Sequence, residues 1–532
     1  MTPAAIILFP LLGGVLAWIA GYKSEDSARR VALVAAGLQC VLVVALAMRL
    51  HLAPVAASPW LIEWRVPWIP QIGASLHLAA DGLSLIMLLL TAFLGFVAVL
   101  VSGGEAGRRR GAFQLCLLSA LSAVSGVFLA VDLLLFFVFF EAMLVPVYFL
   151  IILWGDERGD RFDAALKFFL FTQASGLVML VAMLALSFLN ARVTGQLTLD
   201  AMELRHVPLA GAAALLLPLG FFLAFAVKLP LVPLHSWQPV TYAAIPASGG
   251  ILLSGIMAKV GAYGMLRFVL PLFHETAASL APWAMGLAVI SILYGAVAAF
   301  AQAHLRRFIA CSSISHLGFV VLGIFSLNEL GQRGAVVLMV AHGCSVAGLF
   351  VLAEVMERNG GSRDMSRLGG LWADAPRLGA FAMVLVMATL GLPGLANFVG
   401  EFLVLLGAFR RDPFMAALAA LGTVLSATYA LRFMQQVFFG ARREEAAPVA
   451  DLSGRHAVAA LLLVLALLGL GLFPGVLING LNGGATILRA GQSGDWRSQE
   501  RPRLSAALDP PLRGVTAGRR PGGVAPSLGG TP

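Results

Sequence analysis

Six ionisable side chains stand inside stretches that are otherwise apolar: Glu141, Lys228, Lys259, His316, His342 and Glu401. Charges at membrane depth are rare and costly, so such groups pair, take up a proton or meet water, and they mark ion and proton paths. Glu141 lies in Phe136-Phe-Val-Phe-Phe-Glu-Ala-Met-Leu-Val-Pro146, and Lys228 lies in Phe222-Leu-Ala-Phe-Ala-Val-Lys-Leu-Pro-Leu-Val-Pro233. The proton affinity of a buried lysine depends on its neighbours, and a carboxylate such as Glu141 is the kind of partner that sets it. Lys259 follows Ser248-Gly-Gly and sits mid-span, where snorkelling is difficult. His316 and His342 lie in adjacent apolar stretches, with Ser312, Ser313 and Ser315 beside His316 to hold water. Imidazole exchanges a proton near neutral pH. With no third ligand nearby in sequence, the two histidines are not read as a metal site. Glu401 stands eight residues beyond Pro393, and His235 follows Pro233 as a candidate uptake or coupling group. The plainer alternatives are structural ion pairs, a snorkelling lysine and hydrogen-bonded core histidines. Glu354 and Arg432 are read as structural, or as balancing a neighbouring subunit.

Two of these groups lie in stretches too long for one straight helix. Val207 to Leu234 is uncharged except at Lys228, and Leu378 to Phe409 is uncharged except at Glu401. As straight helices these runs reach roughly 42 and 48 Å at about 1.5 Å per residue, against a hydrocarbon core of about 30 Å. Pro230 and Pro233 in the first, and Gly391-Leu-Pro-Gly394 in the second, predict a break in each. A broken helix beside a lone ionisable group is a recurrent way to build a transport site at the midplane.

Composition fixes the class. Of 532 residues 60% are hydrophobic and 12% charged, about half the charge of a soluble protein. The chain is predicted to be an all-α polytopic membrane protein, with its first apolar run retained as a span. The net charge of +9 is spread over loops rather than gathered in a compact basic motif, so nucleic acid is not an expected partner. Cys40, Cys116, Cys311 and Cys344 form no CxxC pair, and no Walker loop or GxGxxG appears. Redox and nucleotide chemistry are therefore expected on other chains.

Fourteen spans are predicted, at about 3–22, 31–50, 82–102, 111–130, 132–153, 165–188, 207–234, 245–269, 281–302, 308–327, 334–356, 378–409, 413–438 and 456–480. His51 to Ala80, rich in Trp and Pro, reads as an ordered interfacial loop, with a hairpin as one possible form. Loops after odd-numbered spans hold eighteen Lys and Arg and those after even-numbered spans hold eight. The positive-inside rule then puts the odd-following loops in the cytoplasm and both termini outside. Broken spans seven and twelve are five apart, an odd offset, which predicts two inverted five-helix repeats. The expected organisation is a three-helix segment (1–105), a first repeat (106–270), a second (271–440), a last span (441–480) and a disordered tail (481–532).

Val227-Lys-Leu-Pro-Leu-Val-Pro-Leu-His-Ser-Trp237, Ser312-Ser-Ile-Ser-His-Leu-Gly-Phe319 and Gly391-Leu-Pro-Gly-Leu-Ala-Asn-Phe-Val-Gly-Glu-Phe402 resemble the antiporter-like subunits of respiratory complex I. Phe168 to Val178, His342 to Phe350 and Arg363-Asp-Met365 narrow the resemblance to the chain 4, or subunit M, branch of that family. It runs over about residues 1–480. The resemblance implies a proton-translocating membrane-arm subunit of an NADH–quinone oxidoreductase in a bacterial inner membrane. Its neighbours would be other antiporter-like subunits. NADH, FMN, iron–sulfur clusters and quinone would all be handled elsewhere in the complex, leaving this chain no cofactor or metal. It further implies that Glu141 and Lys228 form a coupled pair and that Lys259, His316, His342 and Glu401 continue the path. Two stretches depart from the family: Gln238-Pro-Val-Thr-Tyr242 stands for the usual Leu-Pro-Asp-Ala-His, and Gln302-Ala-His-Leu-Arg-Arg307 for Gln-x-Asp-x-Lys-Arg. The alternatives are a subunit of a multisubunit cation/proton antiporter or membrane-bound hydrogenase, and a non-conducting scaffold.

Overall fold

A computed structural model describes residues 2–51, 60–105, 107, 109–156, 160–360, 362–440 and 449–481. The predicted disordered tail lies outside the described residues, apart from Leu481. Among the described residues, thirteen helices are long and apolar enough to cross a membrane, from Pro3–Gly21 to Gly454–Leu472. The fourteenth predicted span, number twelve, is two shorter helices, Pro376–Thr389 and Ala396–Arg411. Every predicted span thus has its helix, and the protein is a multi-pass membrane protein.

Local chemistry starts and stops the helices. Asp81, Asp132 and Asp412 cap the starts of spans three, five and thirteen by accepting backbone N–H bonds, from Ser84, from Leu134 and Leu135, and from Phe414 and Met415. Span five is two helices, Leu133–Ala142 and Leu144–Trp154, meeting at Met143. Pro146 has no N–H to offer the Ala142 carbonyl, which accounts for the interruption. Span seven ends its first half at Lys228 (Gly211–Lys228) and resumes as Trp237–Ala244. That second half begins past the predicted limit of Leu234. In span twelve, Gly391 (φ 78°) and Gly394 (φ 95°) adopt left-handed backbone on either side of Pro393, a conformation that only glycine reaches without strain.

Span eight runs over Ala247–Leu272. Two π-helical turns, Leu253–Met257 and Met265–Val269, interrupt it on either side of Lys259. Arg267 lies inside this span, within its predicted limits of 245–269. It makes a bidentate bond to Asp81, at 2.8 Å from Nη1 and 2.5 Å from Nη2, and also donates to Tyr263 and Ser84.

The loop between spans two and three contains a hairpin. Strands β1 (Ile62–Ile69) and β2 (Ala74–Ala80) pair antiparallel through a turn at Pro70–Ile72 and Gly73. Buried side chains fasten it. Ser75 N–H donates to Asp132 at 2.8 Å, and His77 lies between Asp200 (2.7 Å) and Glu63 (2.9 Å).

Burial is uneven. Spans eight, ten (Leu305–Phe325) and eleven (Glu329–Arg358) are wholly buried over their most apolar stretch. In spans one, two, six (Arg161–Thr194), thirteen and fourteen most of it is exposed or half-buried. The apolar rim suits lipid or neighbouring subunits, and the polar side chains concentrate on the inner helices.

Candidate functional site: a buried relay of charged and polar groups

The first group of predicted residues gathers where spans five, six, seven and eight meet. Lys228 is the last residue of its half-helix, where the helix dipole favours a cation. Its ammonium lies 4.5 Å from the centre of the Phe140 ring, a cation–π distance. The Trp237 indole N–H caps the neighbouring Val227 carbonyl at 3.0 Å, tying the two halves of span seven together. Glu141, next to Phe140 at the span-five interruption, is close enough to act electrostatically on Lys228. No ion-pair contact joins them among the described residues, and neither the Lys228 ammonium nor the Glu141 carboxylate has a hydrogen-bond partner. The carboxylate rests on Gly176 of span six, where a Cβ would overlap it. Gly261 and Gly264 of span eight likewise let it approach Phe225 and Leu229.

The second group is two hydrogen-bonded sets that meet at neighbouring histidine rings. Lys259 Nζ donates to the Ser254 carbonyl at 2.6 Å and lies 2.7 Å from His342 Nδ1. The His342 and His316 ring centres are 5.5 Å apart, tilted by 43°. His316 Nδ1 is 3.1 Å from Glu401 Oε1, and its Nε2 is 3.1 Å from the Tyr429 hydroxyl. All five side chains are buried. Four predicted residues, brought from spans eight, ten, eleven and twelve, therefore form one line, which Tyr429 of span thirteen extends. The break in span twelve makes room for its end: a Cβ on Gly391 would stand 2.8 Å from Glu401 Oε2. His316 thus uses both ring nitrogens on Glu401 and Tyr429 and meets His342 through the rings.

Other expectations fare differently. Of the three serines, Ser312 and Ser315 donate to the carbonyls of Ile309 and Ile292, while Ser313 Oγ is buried and unpartnered. Ser313 keeps its donor as well as its acceptors free for water, whereas the other two can only accept from it. His235 lies in the break of span seven against Tyr294, with ring centres 4.9 Å apart, and does not join the line. Arg432 lies over Phe300 at 4.3 Å. Tyr429 and the pair Asp81–Arg267 were not singled out in sequence. A tyrosine hydroxyl in the middle of an apolar span is the signal for the first, since a buried hydroxyl needs a partner.

A membrane domain whose inner helices carry such a line beside interrupted helices defines the antiporter-like class of ion-translocating subunits. The sequence profile of the transmembrane region of NADH:quinone oxidoreductase and Mrp antiporter subunits matches residues 130–426. The chain is 46% identical over 479 residues to NADH-quinone oxidoreductase subunit M of Pseudomonas aeruginosa, covering 88% of this chain and 94% of the relative. Identity to the Escherichia coli K12 subunit M is 45% over 477 residues, with the same coverage. A chain of respiratory complex I from Thermus thermophilus superposes with a TM-score of 0.82 at 35% identity, over 93% of this chain and 100% of that one. A chain of the Mrp complex from Dietzia superposes at 0.81 with 20% identity, over 92% and 98%, a likeness of fold alone. The chain belongs to the antiporter-like subunit family of NADH:quinone oxidoreductases and Mrp antiporters.

Proposed function

We propose that this chain translocates protons as the M-type membrane-arm subunit of a bacterial NADH–quinone oxidoreductase. NADH oxidation, through FMN and iron–sulfur clusters, and quinone reduction take place on other subunits. The observation that supports this most directly is the buried line Lys259–His342–His316–Glu401, a set of groups that accept and release protons and run across the helix bundle. The chain lies in the inner membrane with the loops around Glu105, Asp156 and Arg363 in the cytoplasm and the β1–β2 hairpin outside. Neighbouring antiporter-like subunits contact its rim. Spans 4–8 and 9–13 act as two inverted repeats, with Lys228 and Glu401 in equivalent places.

Glu141 and Lys228 are adjacent without being locked together. A change of charge along the arm would move Glu141 relative to Lys228 and alter the affinity of the lysine for its proton. The altered field would then drive a proton from Lys259 through the histidines to Glu401 and outward. Electron transfer and pumping share one cycle, so blocking the path slows both.

In membranes holding the assembled complex, Lys228→Ala and Lys259→Ala should each lower NADH-driven proton pumping and coupled quinone reduction together, by about tenfold or more. Full assembly with wild-type pumping in both variants would remove the lysines from the path and with them this function.

A further inference from the structure

At the Arg306 end of the bundle, the inner spans open into a cavity of about 700 Å³. Its wall includes Glu105, Glu354, Ala244 and Pro246. Glu105 follows span three, and Glu354 lies near the end of span eleven with only 5% of its surface exposed. Both carboxyl groups line that cavity, close enough to act on one another electrostatically. Two like charges this close disfavour double ionisation, so such a pair is suited to hold a proton. Glu105 also accepts the backbone N–H of Ser248, at 3.2 and 3.3 Å, and its hydroxyl. Glu354 is ion-paired to Arg358 Nε at 2.8 Å. Arg29, Arg306 and Arg455 also surround the pair, and Arg109 and Glu357, the latter held by Arg306, line the same cavity.

Beyond this pair, on the way to the relay, lies a second set of polar groups. Gln238 and Tyr242 belong to the half-helix that reaches the cavity at Ala244. The Tyr242 hydroxyl lies beside the side chains of Gln238 and Ser254. All three residues are wholly buried, and the Tyr242 hydroxyl, the Gln238 amide and Ser254 Oγ make no well-formed hydrogen bond within the protein. Buried polar atoms in that state are the ones internal water satisfies. Ser254 is also the residue whose carbonyl accepts the Lys259 ammonium.

We propose that the Glu105–Glu354 carboxyl pair is the proton-collecting group of this subunit, and that Gln238, Tyr242 and Ser254 form the hydrated inlet from it to Lys259. A proton from solvent in the cavity lands on the pair. Each hydroxyl and water beyond accepts a proton on its oxygen and passes its own forward, ending unchanged. One proton reaches the Lys259 amine, and one has left the solvent. The arginines keep the pair from binding cations in place of the proton. This inference rests on the proton-translocation reading above and adds the side and the groups of uptake.

The test uses membranes containing the assembled complex, with pumping normalised to complex content. Glu105→Gln/Glu354→Gln together should cut NADH-driven pumping about fivefold or more, with the loss steeper at alkaline pH, where solvent protons are scarce. Tyr242→Phe, which removes one hydroxyl, should give a smaller loss of the same form. If Lys259→Ala stops pumping while the double variant and Tyr242→Phe pump at the wild-type rate at every pH, the inlet is elsewhere. If Lys259→Ala also pumps normally, the functional reading itself has failed. Should the double variant not assemble, Ser254→Cys in a background with the four native cysteines replaced by serine gives an independent answer. A membrane-impermeant cationic methanethiosulfonate should modify it from the Arg306 face and slow pumping. Protection from that face, or modification from the opposite face alone, overturns the proposal.

Discussion

At the scale of single residues, the end of the relay is the place where chemistry and shape can be separated. Glu401 is buried against Gly391 and bonded to His316. Glu401→Gln keeps the volume and can still bond the imidazole, yet cannot cycle a proton. It should assemble normally and pump poorly, by about tenfold or more, whereas Glu401→Asp should keep part of the rate. Equal pumping by the Gln variant and the wild type, at matched assembly, would reduce Glu401 to a structural role. These groups were legible in the sequence because a charge within a long apolar run has few reasons to be there. Tyr429 was less so, because one aromatic residue among the many in these spans carries no charge to betray it. The distance between Glu141 and Lys228 was not readable at all: it depends on the Met143 interruption of span five meeting the broken end of span seven.

At the scale of elements, the hairpin shows how a few polar contacts hold an extramembrane piece in place. Burial alone would lower the His77 pKa, but the Asp200 and Glu63 carboxylates outweigh it and hold the imidazole above its ordinary value of 6.5. Burial would raise the Asp200 carboxyl, yet the bond to His77 keeps it below its ordinary 3.8. The raised histidine contributes stability that is full below 6.5 and fades as pH rises through its folded value. The lowered carboxylate contributes above 3.8 and fades as pH falls through its folded value. Hydrogen exchange of the β1–β2 amides, corrected for the intrinsic pH dependence, should therefore show strongest protection between these limits. His77→Gln should flatten the alkaline side of that profile. An unchanged profile would mean the His77–Asp200 contact does not hold the hairpin. Here the sequence pointed to an ordered interfacial segment with a hairpin among its forms, but not to the ties to Asp132 and Asp200, which come from residues far along the chain. The break of span twelve was readable from Gly391-Leu-Pro-Gly394. The second half of span seven was not placed, because His235, Ser236 and Gln238 end the apolar run just where the helix resumes.

At the scale of the whole molecule, orientation decides which end of the relay takes up protons. Single cysteines near Asp156 and in the Arg363 loop should be labelled by an impermeant maleimide from the cytoplasmic side. One in the β1–β2 turn, at Gln71, should be labelled from outside. The reverse pattern would exchange uptake and release. The charged end at Arg306 is firmly built: Arg306 holds Glu357 through two bonds of 2.7 Å, and Arg363 holds Asp156 at 2.5 Å. Fold class and span count followed from hydropathy alone, whereas these ties join residues up to 207 positions apart, beyond the reach of any local pattern.

The π-helical turn at Leu253–Met257 sets an angle as well as a path. In a regular helix each residue advances about 100° around the axis, so Ser248 and Lys259, eleven positions apart, would point to nearly the same side. Five residues wound at the slower π pitch hold back that rotation by about a quarter turn. Ser248 can thus meet Glu105 on one flank of span eight while Lys259 meets His342 on another. A span of the same sequence wound as one uninterrupted α-helix would keep every apolar contact type and still point the lysine a quarter revolution away from the histidine. The 2.7 Å contact at the centre of the relay is thus a matter of rotational phase, held by one slack turn of backbone.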